Sequence, residues 1–248
     1  MAKFGLLFAR SLLGFNFPVH NLKGKIMKFK MSFLLAVILF PVMSQASNFA
    51  GYGKVGTNGF GLGAATSVNN NLGLRVGFDT FKFATTQKDT NGDYGIDFKL
   101  LNVSGLADWY PWAGKFRTTV GAVYNGNKAS LTAKPTAGTY TFNGQTYSSG
   151  DVGSFSGDMT FNSFVPYLGM GWGNPVAQDK QWGMTMDVGL LIQGAPKISN
   201  TVTCGTATTP TVCAQMKSDV AAGATKLEGE LKQFKLLPVI SVGVSYRF

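Results

Sequence analysis

The sequence predicts an all-β chain, an eight-stranded antiparallel transmembrane β-barrel with short periplasmic turns and long external loops. Three observations predict it: a two-residue rhythm of oily and polar side chains, connections that alternate between short and long, and an aromatic last residue. The rhythm is clearest at the end of the chain. Leu236, Pro238, Ile240, Val242, Val244, Tyr246 and Phe248 share one parity, while Ser241, Gly243, Ser245 and Arg247 hold the other. Alternate residues of a strand face opposite sides, so this segment has one apolar and one polar face. Beyond residue 47 no apolar run is long enough to cross a bilayer as a helix. A chain of this kind spans lipid only as a closed barrel, in which neighbouring strands satisfy every backbone donor and acceptor.

Strands are expected at 49–57, 60–68, 72–83, 96–110, 115–125, 160–172, 182–193 and 236–248. The first two are short and glycine-rich, and Asn58-Gly59 between them fits a tight hairpin turn. Strand 72–83 sets Leu72, Leu74, Val76 and Phe78 against Gly73, Arg75, Gly77 and Asp79. In 96–110, Asp108 belongs to the inward set, and 115–125 opposes Phe116, Val120 and Tyr124 to Arg117, Thr119 and Gly121. Pro166 inside 160–172 predicts a bulge, because proline cannot donate to the ladder. The segment 182–193 aligns Trp182, Met184, Met186, Val188, Leu190 and Ile192 opposite Thr185, Asp187, Gly189 and Gln193.

Short turns fall at 69–71, 111–114 and 174–181, and long polar loops at 84–95, 126–159 and 194–235. With the C-terminus on the periplasmic side, all the short turns land there, as outer-membrane barrels require. The loop 126–159 has room for a small hairpin, and the composition of 214–234 favours a helix above the barrel. Cys204 and Cys213 are the only cysteines, and in an exported chain they predict a disulfide-closed loop. Trp109, Trp112, Trp172 and Trp182 all flank short turns, and with Tyr246 and Phe248 they predict an aromatic girdle at one membrane interface.

Bulk composition adds exclusions. Of the 22 basic residues, six precede residue 47, and the remainder carries 16 basic and 12 acidic residues, a net charge of only +4. That is too mild and dispersed for nucleic acid. The front of the chain instead reads as a leader. Basic residues 23–30, the apolar run 31–42 and Ser44-Gln45-Ala46 predict a signal peptide cut after Ala46. Residues 1–26 are either an upstream extension before the true start at Met27 or part of one long signal sequence. The only histidine is His20, within that leader, which argues against histidine-based nucleophile or metal sites. No cofactor, metal or catalytic residue is expected. The glycines of Gly59-Phe60-Gly61-Leu62-Gly63 lie in a strand without a following helix, so they serve packing and not a nucleotide. Asp89 and Asp93 around Asn91-Gly92 resemble a calcium loop but lack its spacing, and a solvated turn is the better reading.

The inward face gathers Arg75, Asp79, Asp108, Arg117, Asp187 and Arg247, three charges of each sign. A barrel of eight strands is barely wider than its own side chains, so these form either a structural ion-pair network or a gated polar path.

Several segments carry a resemblance: Lys54-Val55-Gly56-Thr57-Asn58-Gly59-Phe60-Gly61, Leu74-Arg75-Val76-Gly77-Phe78, Ala107-Asp108-Trp109-Tyr110-Pro111, Gly121-Ala122-Val123-Tyr124-Asn125 and the terminal strand. The chain resembles small outer-membrane barrels of the OmpA-like and ornithine-uptake (CarO-type) group. The resemblance implies residence in outer-membrane lipid and slow passage of small solutes such as amino acids. Phe248 is the expected recognition point for the barrel-insertion machinery. Two functions stay open beside it: a narrow channel, and a non-conducting barrel presenting its loops at the surface. A soluble lipocalin-like binder is a third.

Overall fold

A computed structural model describes residues 48–89, 92–178 and 181–248. The expected leader 1–46 lies outside them, as does Asn91 of the acidic turn. The described chain contains thirteen strands and one helix of any length. Eight of the strands close a barrel: β1 (Phe49–Gly56), β2 (Gly59–Asn69), β3 (Leu72–Asp89), β4 (Gly92–Trp109), β5 (Phe116–Asn125), β10 (Phe164–Trp172), β11 (Trp182–Ile192) and β13 (Leu236–Arg247). Neighbours are antiparallel throughout, and the circle shuts where β1 meets β13, with Val55 opposite Val242 and Gly53 opposite Val244. No free edge is left in the membrane.

Burial follows the two-residue rhythm. Val76, Phe78, Met184, Met186, Val188, Ile240, Val242 and Val244 are exposed, while their strand neighbours Arg75, Asp79, Thr185, Asp187, Ser241 and Ser245 are buried. This is the inverse of a water-soluble barrel, and it sets aside the lipocalin reading: the apolar belt is the surface and the polar groups are the core. Trp109, Trp112, Trp172 and Trp182 all project outward at the end that carries the short turns, 55 to 76 % exposed. Trp182, Tyr246 and Phe248 form a chain of edge-on rings with centroids 5.0 and 5.3 Å apart.

The structure departs from expectation in the connections. Residues 84–95 are not a loop; β3 and β4 run on as one long hairpin, paired from Leu72↔Trp109 out to Asp89↔Gly92. The segment 126–159 folds into β6 (Lys128–Pro135), β7 (Thr139–Phe142), β8 (Gln145–Ser148) and β9 (Val152–Thr160). Its hairpin turns on Asn143-Gly144, both at positive φ, which these two residue types tolerate best. β12 (Lys197–Cys204) completes an external sheet in which β6, β9 and β12 continue from the outer half of β4. The strand expected at 160–172 therefore begins only at Phe164, since Thr160 ends β9. Pro166 makes no bulge: β5 and β10 stay in register through Pro166↔Ala122, and the ladder to β11 starts one residue later, at Tyr167. The first hairpin turns on Thr57-Asn58, one residue earlier than expected, and Gly59 takes the positive φ of 97°.

Helix α1 (Pro210–Glu230) starts before the expected 214 because Thr209 caps it, its hydroxyl accepting from Val212 N, with proline in the first turn. Cys204 and Cys213 are joined, tying the end of β12 to the first turn of α1. The helix lies on the external sheet and its small hairpin, where Met216, Val220, Leu227 and Leu231 pack with Tyr94, Leu131, Tyr140, Phe142, Phe155 and Met159. This second core is of the ordinary water-excluding kind, oily inside and polar outside.

One polar link crosses that core, the Tyr147 hydroxyl donating to Asp219. The hydrogen bond holds the Asp219 carboxyl below the usual carboxylate range, while burial pushes the Tyr147 phenol up to about 12. A lowered carboxyl stabilises above its unfolded value near pH 4 and loses that contribution as pH falls through its own lower value. A raised phenol stabilises below about pH 10 and fails as pH climbs towards its own raised value. Amide protection of α1, corrected for intrinsic exchange, is therefore expected to hold between those limits and to decline on either side. Tyr147→Phe should flatten both flanks, and unchanged flanks would show that the link does not matter to helix docking.

Candidate functional site

The barrel interior is the only part of the membrane span where polar chemistry collects among the described residues. Arg75 on β3, Asp108 on β4, Arg117 on β5 and Asp187 on β11 meet there, one from each of four strands. Arg75 contacts Asp108 through Nε at 2.5 Å and Asp187 through Nη2 at 3.1 Å. Arg117 donates to Asp187 at 2.7 Å, stands 3.5 Å from Asp108 and donates to the carbonyl of Gly173. Thr119 donates to Asp108 at 2.6 Å, and Arg75 sits 5.9 Å from the centre of the Tyr52 ring. Each arginine thus touches both aspartates, and the group is neutral as a whole.

Space for so many large groups comes from glycine. A methyl group on Gly171 would come within 2.9 Å of both the Arg117 guanidinium carbon and an Asp187 oxygen. A methyl on Gly77 would press on the Tyr52 hydroxyl at 2.7 Å. Close packing without a side chain is the reason these strand positions carry glycine.

Apolar clusters pack on both sides of the quartet, each filling part of the bore. Ala50, Tyr52, Ala65 and Val176 pack on its periplasmic side. Leu106, Val123, Val165, Tyr167, Leu191 and Val239 form the other cluster, all at inward positions, and Asn102, Ser104 and Ser241 border the same space. Asn102, Asn125 and Asn127 follow at the external end, where Asn127 accepts from Asn102 at 3.0 Å. A cavity of about 20 Å³ remains between quartet and second cluster, bordered by Lys54, Asp79, Arg75, Asp187, Leu191 and Val239. That is room for about one water molecule.

Five of the six charges read from the sequence are buried in the interior: Arg75, Asp79, Asp108, Arg117 and Asp187. Asp79 is apart from the quartet and pairs with Lys54 of β1 at 3.1 Å. Arg247 keeps the inward parity but stays at the periplasmic mouth, half-buried, donating to the Gln178 carbonyl at 3.1 Å. Sequence reasoning missed Lys54. Its inward parity with Ala50 and Tyr52 was the available signal, but the turn expected at Asn58-Gly59 would have set it opposite Gly63, whereas the turn at Thr57-Asn58 puts Lys54, Gly61 and Asp79 in one row. The second apolar cluster was also missed, although Leu106, Val123 and Leu191 have inward parity.

No protein-family model matches the chain, and no curated protein matches it. Solved structures do. CarO of Acinetobacter baumannii is 25 % identical, with a TM-score of 0.51, covering 80 % of this chain and 97 % of its own. CarO2 of the same organism is 22 % identical, with a TM-score of 0.51, over 81 % of this chain and 98 % of its own. The Neisserial surface protein A structure aligns at 12 % identity and a TM-score of 0.28, over 81 % of this chain and 94 % of its own. The CarO structures agree with the resemblance in the motifs, and the closed eight-stranded barrel is that of an outer-membrane protein.

Burying four ions is costly, and removing one partner leaves another stranded. Asp187→Ala leaves both arginines to share Asp108, with one buried positive charge uncompensated, and should cost about 3–5 kcal/mol, read as a lower urea midpoint for the heat-modifiable band shift of the folded barrel. Gly171→Ala should cost about 1–3 kcal/mol by overpacking. Wild-type midpoints in both variants would mean that the quartet carries little of the barrel's stability.

Proposed function

We propose that this protein is a closed outer-membrane barrel whose lumen is a plug and whose working part is the external layer it holds at the cell surface. The observation that carries this reading is the dryness of the interior charges. A side chain lining an aqueous pore touches water, yet Arg117 is 0 % and Asp108 1 % exposed. Apolar clusters line part of the bore on both sides of them, and the gap that remains beside Lys54 and Asp79 holds about 20 Å³, too little for a hydrated ion or zwitterion. The external layer is built for display. It has its own core, a disulfide, and a cleft of about 360 Å³ between α1 and the β7–β8 tip, lined by Phe142, Asn143, Asp219, Lys226 and Glu230. The reading includes no catalytic step. It includes export by the leader read at 1–46 and delivery to the insertion machinery through Phe248.

The second reading is a narrow channel for small polar solutes such as amino acids. It is favoured by the charged cavity beside Lys54 and Asp79 and by the likeness to CarO. It requires the quartet to part along the Arg75–Asp187 and Arg117–Asp187 contacts.

Planar-bilayer recording of the refolded protein separates the two. The plugged barrel predicts no stepwise conductance from wild type and unstable openings from Arg117→Ala. Regular wild-type steps that change in size with Arg117→Ala would replace the plug with a conduit.

A further inference from the structure

The external sheet carries a line of lysines that the closed barrel does not explain. In its registers Lys82 faces Lys99, Lys99 faces Lys128, Lys128 faces Thr160, and Thr160 faces Lys197. Four lysines therefore lie in one row across β3, β4, β6, β9 and β12, spanning roughly 19 Å at the usual strand spacing. All four are exposed.

Parity fixes where the row points. On β3, Lys82 continues the outward series Val76, Phe78 and Thr80; on β4, Lys99 continues Val103 and Leu101. The row thus belongs to the lipid-facing surface, about 13 Å of strand beyond the exposed Phe78 and Val103. Its ammonium groups stand where the hydrocarbon belt gives way to headgroups.

Like charges directly opposite one another destabilise a sheet. Asp97 answers Lys82 at 3.7 Å, and Asp158 answers Lys128 at 3.0 Å. Lys99 and Lys197 have no ion-pair partner among the described residues. The neighbouring row, Ala84, Asp97, Ser130, Asp158 and Ser199, supplies no further anion. Elsewhere on the external layer charges are mixed, as along α1 and the turn after it, where Lys217, Lys226 and Lys232 are interspersed with Asp219, Glu228 and Glu230.

We propose that the row Lys82–Lys99–Lys128–Lys197 docks the phosphate groups of the anionic glycolipid of the outer leaflet. Lys99 and Lys197 supply the unspent charge, while Lys82 and Lys128 are held in line by their aspartates. The site is a stripe laid along the membrane surface, suited to a phosphorylated sugar backbone whose acyl chains rest on the apolar belt below. The proposal rests on the orientation that puts this sheet outside the cell.

The test uses full-length protein in non-ionic detergent, titrated with bisphosphorylated lipid A and with its dephosphorylated form, and read by native mass spectrometry. Wild type should bind the phosphorylated form at least tenfold more tightly. Each lysine near a charged lipid surface contributes about fivefold, so Lys99→Gln with Lys197→Gln should weaken binding about 25-fold. Lys217→Gln on α1 with Lys232→Gln in the turn after it should not. Inorganic phosphate at matched concentration should leave the adduct in place. Equal affinity for the two lipids, an unaltered double variant, or displacement by free phosphate would each overturn the proposal. Insertion of wild type into phosphatidylcholine bilayers is scored in parallel, and failure there would remove the membrane reading itself.

Discussion

Everything in this molecule answers to the cost of an unpaired peptide group in hydrocarbon. With no water to hydrogen-bond, the strands must close, and β1 has to find β13. Closure with eight strands leaves a bore only wide enough for side chains to fill, and parity sends every second side chain into it. The interior is therefore a packing problem before it is a pathway. It is solved by glycine on some strands and by large polar groups on the facing ones. Gly171 makes way for Arg117, and Gly77 makes way for Tyr52. Because the side chains that reach inward are ionic, they must cancel one another, and the two arginines and two aspartates do so across four strands.

Most of the barrel was legible from residues alone. Parity in 72–83, 115–125 and 182–193 gave the lipid face, and the short turns with their tryptophans marked one end of the barrel. The interior charges were visible as polar residues at inward positions, but their partners were not. Whether Arg75 reaches Asp108 or Asp79 depends on shear and rotamer, which a single strand does not encode. The external layer was the larger omission. Its strands β9 and β12 are rich in small polar residues and β6 carries two lysines and ends on proline, which read as loop when no partner is known. They become strands because α1 covers one face and because β4 offers an edge. Tertiary context decided where local preference could not.

Two opposite solvents act on one continuous piece of chain. In the lower half of β4 the even residues Asp108, Ser104 and Asn102 fill a polar interior, and the odd residues meet lipid. In its upper half the even residues Tyr94, Ile96 and Phe98 enter an oily core, and the odd residues Asp97 and Lys99 meet water. The strand keeps its parity and exchanges its chemistry. Along β4 this exchange falls where the partner changes, from β5 at Asn102 to β6 at Lys99.

That unbroken strand limits how the gene can drift in length. Surface loops of barrels ordinarily accept insertions freely, because nothing below them is in register with what is added. Here a single codon gained within β3 or β4 would rotate every later side chain of that strand by half a turn, above and below the membrane boundary alike. Descendants of this chain should grow or shrink at the tips, around 90–91 or 143–144, or else by matched pairs of residues in both arms of the hairpin.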